Sequence, residues 1–140
     1  GGGYIHGVIP EFFREERVER IYSECDKLTY TKTMAERKTL MEDDCDAFII
    51  APGGIGTLEE FYEVITLKQL GRHKKALAMF NINGYFDTLE SFMREMAEKK
   101  FLAEPCLRMY KYFTDADELL DYLENYEPSD ESWRELKNTD

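Results

Sequence analysis

Three glycines stand within four positions in the stretch APGGIGTLEEFYEV, Ala51–Val64. Glycines at 53, 54 and 56 let a backbone approach a ligand closely, and the helix expected after them presents unpaired N–H groups in its first turn. A strand, a glycine loop and a helix start in this order are typical of an anion site. A tight strand-to-helix turn can also use glycines, so the loop alone leaves both interpretations open.

Two polar residues, Thr57 and Glu60, follow the loop at a spacing that also has a structural explanation. Thr-x-x-Glu is the signature of a capping box, in which the threonine caps the helix and the glutamate reaches back. Thr33 and Glu36 repeat this signature, so two helix starts are expected near one crevice. The spacing alone favours capping for Glu60, and a chemical role for its carboxylate is the alternative.

Two basic residues, Arg37 and Lys38, lie about one turn into the helix that is predicted to begin near Thr33. Cations gain nothing from the helix dipole at that position, which favours an anionic ligand nearby. A solvated surface charge explains Lys38 equally well. Met34 and Met41 share the helical spacing.

The elements that would position these residues alternate between strand and helix. The predicted strands are Tyr4–Pro10, Lys27–Lys32, Asp46–Ala51, Ala76–Asn81 and Met109–Phe113. The predicted helices are Thr33–Asp44, Thr57–Leu70, Phe86–Lys100 and Asp115–Tyr126, the last capped by Thr114 or Asp115. Glu11–Glu24 is compatible with a helix or a long loop. This alternation predicts an α/β fold with a parallel sheet, in which the apolar strand Asp46–Ala51 is buried on both faces.

The composition narrows the class of partner and the compartment. The chain has 140 residues and a formal net charge of −11, which argues against binding to nucleic acid or an anionic membrane but not to a small anion. Cys25, Cys45 and Cys106 are widely spaced and odd in number, so neither a disulfide framework nor a metal site is indicated, and a reducing cytoplasm is expected. No apolar run reaches membrane-spanning length.

The first three residues and the polar C-terminal residues are typical of a loop and a tail. Gly1–Gly3 precede a strand rather than a helix, which suits a connecting loop better than a phosphate site. We therefore expect that an N-terminal part of the domain lies outside this sequence. Residues 1–126 are assigned to the domain, and the polar residues 127–140 are predicted to form a loose tail that Trp133 docks.

Two motifs together resemble a known family. MAERK at Met34–Lys38 and PGGIGTLEE at Pro52–Glu60 match the Lonely Guy family pattern Met-x-x-Arg-Lys followed by Pro-Gly-Gly-x-Gly-Thr-x-x-Glu. The resemblance continues through residues 63–89 and includes GVIP at residues 7–10. It implies a Rossmann-like three-layer sandwich with a mainly parallel sheet. Nothing here matches the earlier part of the family, so the domain is expected to be N-terminally truncated.

The resemblance also implies an activity. Members of the family hydrolyse the N-glycosidic bond of a nucleoside 5′-monophosphate, AMP or a cytokinin nucleotide, to the free base and ribose 5-phosphate, with no metal or other cofactor, and they form dimers. The implied catalytic residues are Glu60 and Arg37. The implied substrate-binding residues are Met34, Lys38, Gly53, Gly54, Gly56 and Thr57. Two alternatives stay open: a nucleotide-binding protein without catalysis, and a general purine or pyrimidine monophosphate nucleosidase.

The remaining polar and aromatic residues are interpreted as structural. His6 is expected to be structural within its strand, and His73 to be an exposed loop residue. Tyr85 and Phe86, after the Asn83-Gly84 turn, are expected to pack. The acidic residues Asp43, Asp44 and Asp46 are expected to be solvated or to cap. The helix Thr57–Leu70 is apolar on more than one side, which predicts a symmetric partner subunit.

Overall fold

The computed structural model describes residues 2–16, 21, 22 and 24–128. The predicted tail, beyond its first two residues, and its Trp133 lie outside the described residues. The chain divides into two units, Gly1–Cys45 and Asp46–Asp140. The motif that contains Arg37 therefore belongs to the first unit, and the glycine loop belongs to the second.

The first unit pairs two parallel strands and adds two helices. Its elements are β1 (His6–Pro10), α1 (Glu11–Glu15), β2 (Lys27–Thr31) and α2 (Met34–Asp43). β1 and β2 run in register from His6 opposite Lys27 to Pro10 opposite Thr31. Of the two possibilities for Glu11–Glu24, the helix is observed over Glu11–Glu15.

The start of α2 confirms the first of the two predicted capping boxes. The Glu36 N–H donates to the Thr33 hydroxyl at 3.1 Å. The Glu36 carboxylate accepts from the Lys32 N–H at 2.8 Å, one residue before the cap itself. Local residue types were sufficient to predict this helix start because every bond in it spans four residues or fewer.

The second unit is built on a three-stranded parallel sheet. Its elements are β3 (Ala47–Ile50), α3 (Ile55–Gln69), β4 (Ala76–Phe80), a 3₁₀ turn (Ile82–Gly84), α4 (Asp87–Glu98), a second 3₁₀ segment (Glu104–Arg108), β5 (Lys111–Phe113) and α5 (Ala116–Glu124). The strand order is β3-β4-β5, and both pairings are parallel. The predicted α/β organisation with parallel strands is confirmed, and the described strands form two sheets.

The core of the second unit surrounds its central strand. Four consecutive residues of β4, Ala76–Met79, are buried because helices cover both faces of that strand. Among the largest fully buried side chains are Phe61 of α3, Phe86 at the N-cap of α4, and Met93 of α4. Burial of one such side chain contributes about 1.5–3 kcal/mol.

The prediction that β3 is buried on both faces is wrong. Ile50 is buried and Phe48 packs against the core, whereas Ile49 is 52% exposed. Successive side chains of a strand point to opposite faces, so 48 and 50 share the core face and 49 lies on the other. A short apolar run does not reveal by its pattern whether one face or both are covered.

Candidate functional site

The glycine loop connects the carboxyl end of β3 to the start of α3. Gly54 is the N-cap of α3 and provides no side-chain cap. The first bond of the helix joins the Leu58 N–H to the Gly54 carbonyl oxygen at 3.2 Å. The N–H groups at residues 55–57 therefore precede the helical ladder and are oriented outward from the helix start. A helix start at the carboxyl end of a parallel strand is where anions bind in open α/β sheets.

The capping-box interpretation of Thr57 and Glu60 is wrong. α3 begins at Ile55, two residues earlier than predicted, so Thr57 is the third helical residue and not the cap. Glycine is itself an acceptable N-cap residue, which allows the helix to start within the glycine loop. Glu60 is partly buried on the same face of α3 as Gly56, about 6 Å further along the helix axis. The capping explanation for the spacing of Thr57 and Glu60 is thereby removed.

Gly53 and Thr57 are packed together so closely that residue 53 must be glycine. A Cβ atom on Gly53 would lie 2.1 Å from the Thr57 hydroxyl oxygen. A Cβ atom on Gly54 or Gly56 would meet nothing within 4 Å among the described residues. The three glycines thus serve two purposes: Gly53 allows the threonine to close against the backbone, and the other two leave open space at the helix start.

One residue of the loop's surroundings was missed by the sequence interpretation. The Tyr85 hydroxyl donates a hydrogen bond to the Gly53 carbonyl oxygen at 2.6 Å, and its side chain is 55% exposed. Packing is confirmed for Phe86, which is 1% exposed, and for the Tyr85 ring, which lies edge-on against Phe86. The bond from the Tyr85 hydroxyl to the glycine loop was not predicted. The available signal was its place after β4, since parallel strands end at one edge of the sheet and the turn after β4 comes near the loop after β3.

The turn that carries Tyr85 is fixed by the buried side chain of Asn81. The Asn81 carbonyl oxygen Oδ1 accepts from the Phe86 N–H at 2.7 Å, and its Nδ2 donates to Asp87 Oδ1 at 2.7 Å. Asn83 and Gly84 both adopt positive φ angles, 52° and 71°. A Cβ atom on Gly84 would lie 2.5 Å from Asp87 Oδ2, so glycine is required there for both conformation and space.

The first unit holds the other motif on α2, where Met34, Arg37 and Lys38 are all partly buried. The Arg37 Nε donates to the Val8 carbonyl oxygen at 3.2 Å, which connects α2 to β1. The His6 Nε2 and the Thr29 hydroxyl are 2.8 Å apart. This bond joins β1 to β2 and supports the structural interpretation of the histidine.

A separate group of polar contacts lies at the amino ends of β4 and β5. The Lys68 ammonium donates to the carbonyl oxygens of Lys75 and Met109, at 2.8 and 2.9 Å, and to the Tyr126 hydroxyl at 2.9 Å. Burial lowers the pKa of Lys68 to about 8. These bonds satisfy backbone carbonyls where two strands begin, which is a structural role.

His73 is half-buried, so its interpretation as an exposed loop residue is wrong. Its Nε2–H donates to the Val64 carbonyl oxygen at 2.8 Å, and its Nδ1 accepts from the Lys75 N–H at 3.2 Å. Burial lowers the pKa of His73, the nearby Lys68 and Lys75 charges add to this effect, and the bond to Val64 opposes it. The acidic residues Asp43, Asp44 and Asp46 are exposed, as expected.

The described residues offer neither a cluster of metal ligands nor a helix suited to cross a membrane. Residues 2–16, 21, 22 and 24–128 contain no group of three or more His, Cys, Asp and Glu side chains that could hold a metal ion. Over the same ranges, none of the helices has both the length and the apolar character needed to cross a bilayer. Cys25, Cys45 and Cys106, all within the described part of the chain, are not joined by disulfide bonds.

Parallel strands that alternate with helices, with a glycine loop that leads into a long helix, define an α/β protein of the Rossmann-like type. The model of one protein family, described as "Possible lysine decarboxylase", matches residues 1–123. The chain therefore belongs to this family, and the resemblance to Lonely Guy proteins is confirmed.

The curated relatives of the chain carry more specific names. A probable cytokinin riboside 5′-monophosphate phosphoribohydrolase of Oryza sativa subsp. japonica is 38% identical over 128 residues, which are 91% of this chain and 60% of the relative. A cytokinin riboside 5′-monophosphate phosphoribohydrolase of Arabidopsis thaliana is 38% identical over 130 residues, 91% of this chain and 58% of the relative. The chain thus spans about three-fifths of the length of the relatives that it matches.

Proposed function

We propose that the protein to which this chain belongs hydrolyses the N-glycosidic bond of a nucleoside 5′-monophosphate, either AMP or a cytokinin nucleotide, to free base and ribose 5-phosphate. The observation that carries the proposal is the open start of α3, where Gly54 caps the helix without a side chain at the carboxyl end of β3. That geometry suits a 5′-phosphate. The names of the relatives point to the same class of substrate.

The chemistry follows from the charge that develops on the ribose. Departure of the base leaves the ribosyl ring with positive, oxocarbenium-like charge. With the phosphate at residues 53–57, the ribose extends one turn along α3 toward Glu60, whose carboxylate stabilises that charge and orients the attacking water. The proposal assigns Arg37 to keep this carboxylate ionised and to position the ribose or phosphate. Lys38 adds positive charge, and Met34 lines the base or ribose.

The test of the reaction uses the protein at its full natural length. Incubation with AMP and with N6-isopentenyl-AMP is expected to release free base and ribose 5-phosphate, measured by chromatography. Glu60→Gln is expected to lower kcat by about 10²–10³-fold, because an electrostatic interaction with the transition state is removed. Its melting temperature should stay within a few degrees of the natural protein.

The matched control is Glu59→Gln, which makes the same change at the preceding, exposed position of α3. We expect this variant to keep its kcat within about twofold. Near-normal turnover of Glu60→Gln would remove Glu60 from the mechanism. A natural protein that binds AMP and releases no base would favour a nucleotide-binding role, and equal release from all monophosphates would favour a general nucleosidase.

A homodimer is the second part of the proposal. One stripe of α3 is apolar and exposed. It consists of Ile55, which is 88% exposed, Tyr62, and Leu70 at the C-terminal cap. Phe61, Val64 and Ile65 already cover the core on the opposite side, so the stripe is available to a second copy. We expect sedimentation at micromolar concentration to show a dimer that Leu70→Lys weakens and that Leu120→Lys, an equally exposed leucine on α5, leaves intact.

Complementation then tests how the two motifs are shared. In a mixture of Arg37→Ala and Glu60→Gln chains, restored activity would mean that the two residues serve one pocket from different subunits. We expect no restoration, with both residues in the same subunit. A strictly monomeric natural protein would overturn the dimer.

The proposed location is the cytoplasm. Three cysteines that form no disulfide among the described residues suit a reducing compartment. The acidic balance of the chain, −11, favours a small-molecule partner over nucleic acid or an anionic membrane. Fractionation of cells that express the protein at its natural length checks this location.

A further inference from the structure

The peptide bond between Gly53 and Gly54 decides whether the loop offers an anion a donor or an acceptor. In a planar trans peptide, the carbonyl oxygen of one residue and the N–H of the next point in opposite directions. Glycines on both sides restrict rotation of this peptide less than any other pair of residues would. A group that holds the Gly53 carbonyl oxygen therefore also fixes the direction of the Gly54 N–H.

The Tyr85 hydroxyl is such a group. It donates to the Gly53 carbonyl oxygen at 2.6 Å, across 32 residues of sequence. The Tyr85 ring packs edge-on against Phe86 with ring centroids 5.1 Å apart. Phe86 is itself fully buried, so the aromatic ring that carries the hydroxyl rests on the core of the unit.

The backbone of this turn is equally well fixed. The Asn81 side chain bonds to the Phe86 N–H and to Asp87. The backbone N–H of Asn81 donates to the Phe113 carbonyl oxygen at 2.7 Å. The turn is thus attached to β5 and to the start of α4. Tyr85 meets the glycine loop from a rigid support rather than from a free loop.

We propose that Tyr85 is a positioning residue for the phosphate group of the substrate. Its hydroxyl holds the Gly53–Gly54 peptide so that the Gly54 N–H is directed away from Tyr85 and toward the anion. Thr57 closes against the Gly53 α-carbon on another side, so the peptide is held at two points. Without the hydroxyl the peptide can rotate and turn a carbonyl oxygen toward the anion. This inference rests on the proposed function.

The test is Tyr85→Phe in the protein at its full natural length. The substitution removes one hydroxyl and keeps the ring that packs on Phe86. We expect the KM for AMP to rise about tenfold, the loss expected for one hydrogen bond that positions a charged ligand. Because Glu60 is untouched, kcat should change less than about twofold. The Kd for ribose 5-phosphate should also rise about tenfold, and the Kd for adenosine, which has no phosphate, should not change.

Tyr126→Phe is the matched control, because it removes a tyrosine hydroxyl bond in the same unit at the opposite edge of the sheet. The Tyr126 hydroxyl accepts from the Lys68 ammonium at 2.9 Å. We expect this variant to keep the KM for AMP of the natural protein. Any fall in its melting temperature reports the structural cost of losing such a bond, against which the Tyr85→Phe variant is compared.

A second measurement does not depend on activity. The backbone ¹⁵N–¹H resonance of Gly54 is expected to shift and broaden in Tyr85→Phe, because the peptide then exchanges between orientations, and to stay in place in Tyr126→Phe. An unchanged Gly54 resonance in Tyr85→Phe would overturn the inference even if the variant lost activity through poor folding.

The kinetic outcomes separate this inference from the proposed function. A natural protein that neither hydrolyses AMP nor binds ribose 5-phosphate would overturn the proposed function and the phosphate role of Tyr85 with it. An active natural protein whose Tyr85→Phe variant keeps its KM within twofold would overturn the role of Tyr85 alone.

Discussion

Two helices of the second unit, α3 and α5, begin after parallel strands of the same sheet, yet their first turns are built differently. α3 starts at Gly54 with no side-chain cap and no acidic residue in its first turn. α5 starts at Asp115, whose carboxylate accepts from the N–H groups of Asp117 and Glu118 at 2.9 and 3.0 Å. Both helices present the positive end of a dipole at this edge of the sheet.

The difference separates a helix start whose N–H groups the protein itself uses from one whose N–H groups no cap side chain uses. At α5 a built-in carboxylate uses the N–H groups, and Asp117 and Glu118 add negative charge, so an anion gains little there. At α3 glycine leaves the N–H groups and the space to a ligand. The position of a helix start at this edge supplies a positive dipole end and unpaired N–H groups. The residue at the N-cap decides whether those N–H groups bind a side chain of the protein or are left to a ligand.

The largest effect is expected when α3 is given the helix start that α5 has. Gly54→Asp places a carboxylate where a Cβ atom meets nothing within 4 Å among the described residues. We expect the Kd for ribose 5-phosphate to rise about 10–100-fold, because two like charges would meet at about 4 Å. Stability should stay the same or rise by a few tenths of a kcal/mol, because aspartate is a good cap. Calorimetric titration and thermal unfolding measure the two effects.

Gly54→Asn is the control for that variant, since it has nearly the same shape without the charge. A loss of affinity that is equal in Gly54→Asp and Gly54→Asn would point to steric exclusion. Affinity within twofold of the natural protein in Gly54→Asp would mean that the phosphate binds elsewhere.

The second prediction separates the glycines of the α3 start. Gly53→Ala is expected to cost about 1–3 kcal/mol of unfolding free energy through overpacking, because its Cβ atom would lie 2.1 Å from the Thr57 hydroxyl oxygen. Gly56→Ala has open space and should instead stabilise the helix by about 0.5–1 kcal/mol. Denaturant unfolding of the two variants measures whether each substitution lowers or raises the free energy of unfolding. If Gly56→Ala were as destabilising as Gly53→Ala, the close packing of Gly53 against Thr57 would not be the cause.

The third prediction makes the opposite change at α5. Asp115→Ala removes the cap and should cost about 1 kcal/mol of stability, while the Kd for ribose 5-phosphate stays unchanged. Glu124→Ala, an exposed acidic residue at the other end of α5, serves as the control and should stay within about 0.5 kcal/mol. A fall in phosphate affinity in Asp115→Ala would show that α5 takes part in binding.

The smallest effect concerns His73, which bonds to the carboxyl-terminal half of α3. Because its pKa is lowered in the folded state, the unfolded chain binds a proton more readily. Its contribution to stability is therefore complete above the ordinary histidine pKa of about 6.5 and is lost as the pH falls through the folded-state pKa. The free energy of unfolding, measured from pH 8 to pH 5, should fall in the natural protein and fall less steeply in His73→Gln. An equal dependence on pH in both proteins would show that His73 is not the cause.

Residue types and spacing alone determined much of this protein. The alternation of strands and helices, the parallel sheet, the Thr33 cap and the Asp115 cap all depend on periodicity or on bonds between residues that are two to four positions apart. The two motifs were sufficient to identify the family. The roles of Glu60 and Arg37 in catalysis stay predictions.

Tertiary structure alone decided the features that depend on contacts between distant segments. The bond from Tyr85 to Gly53 requires strands β3 and β4 to be placed side by side, and no local pattern encodes that pairing. The exposure of Ile49 depends on which faces of the sheet are covered. α3 begins at Ile55 with Gly54 as its N-cap, whereas the local signature favoured a threonine cap. Helix caps and hydrophobic periodicity depend on residues that are near each other in the sequence, so the sequence alone predicts them. Which face of a strand is buried, and how strands pair, is decided only when the sheet and its helices assemble.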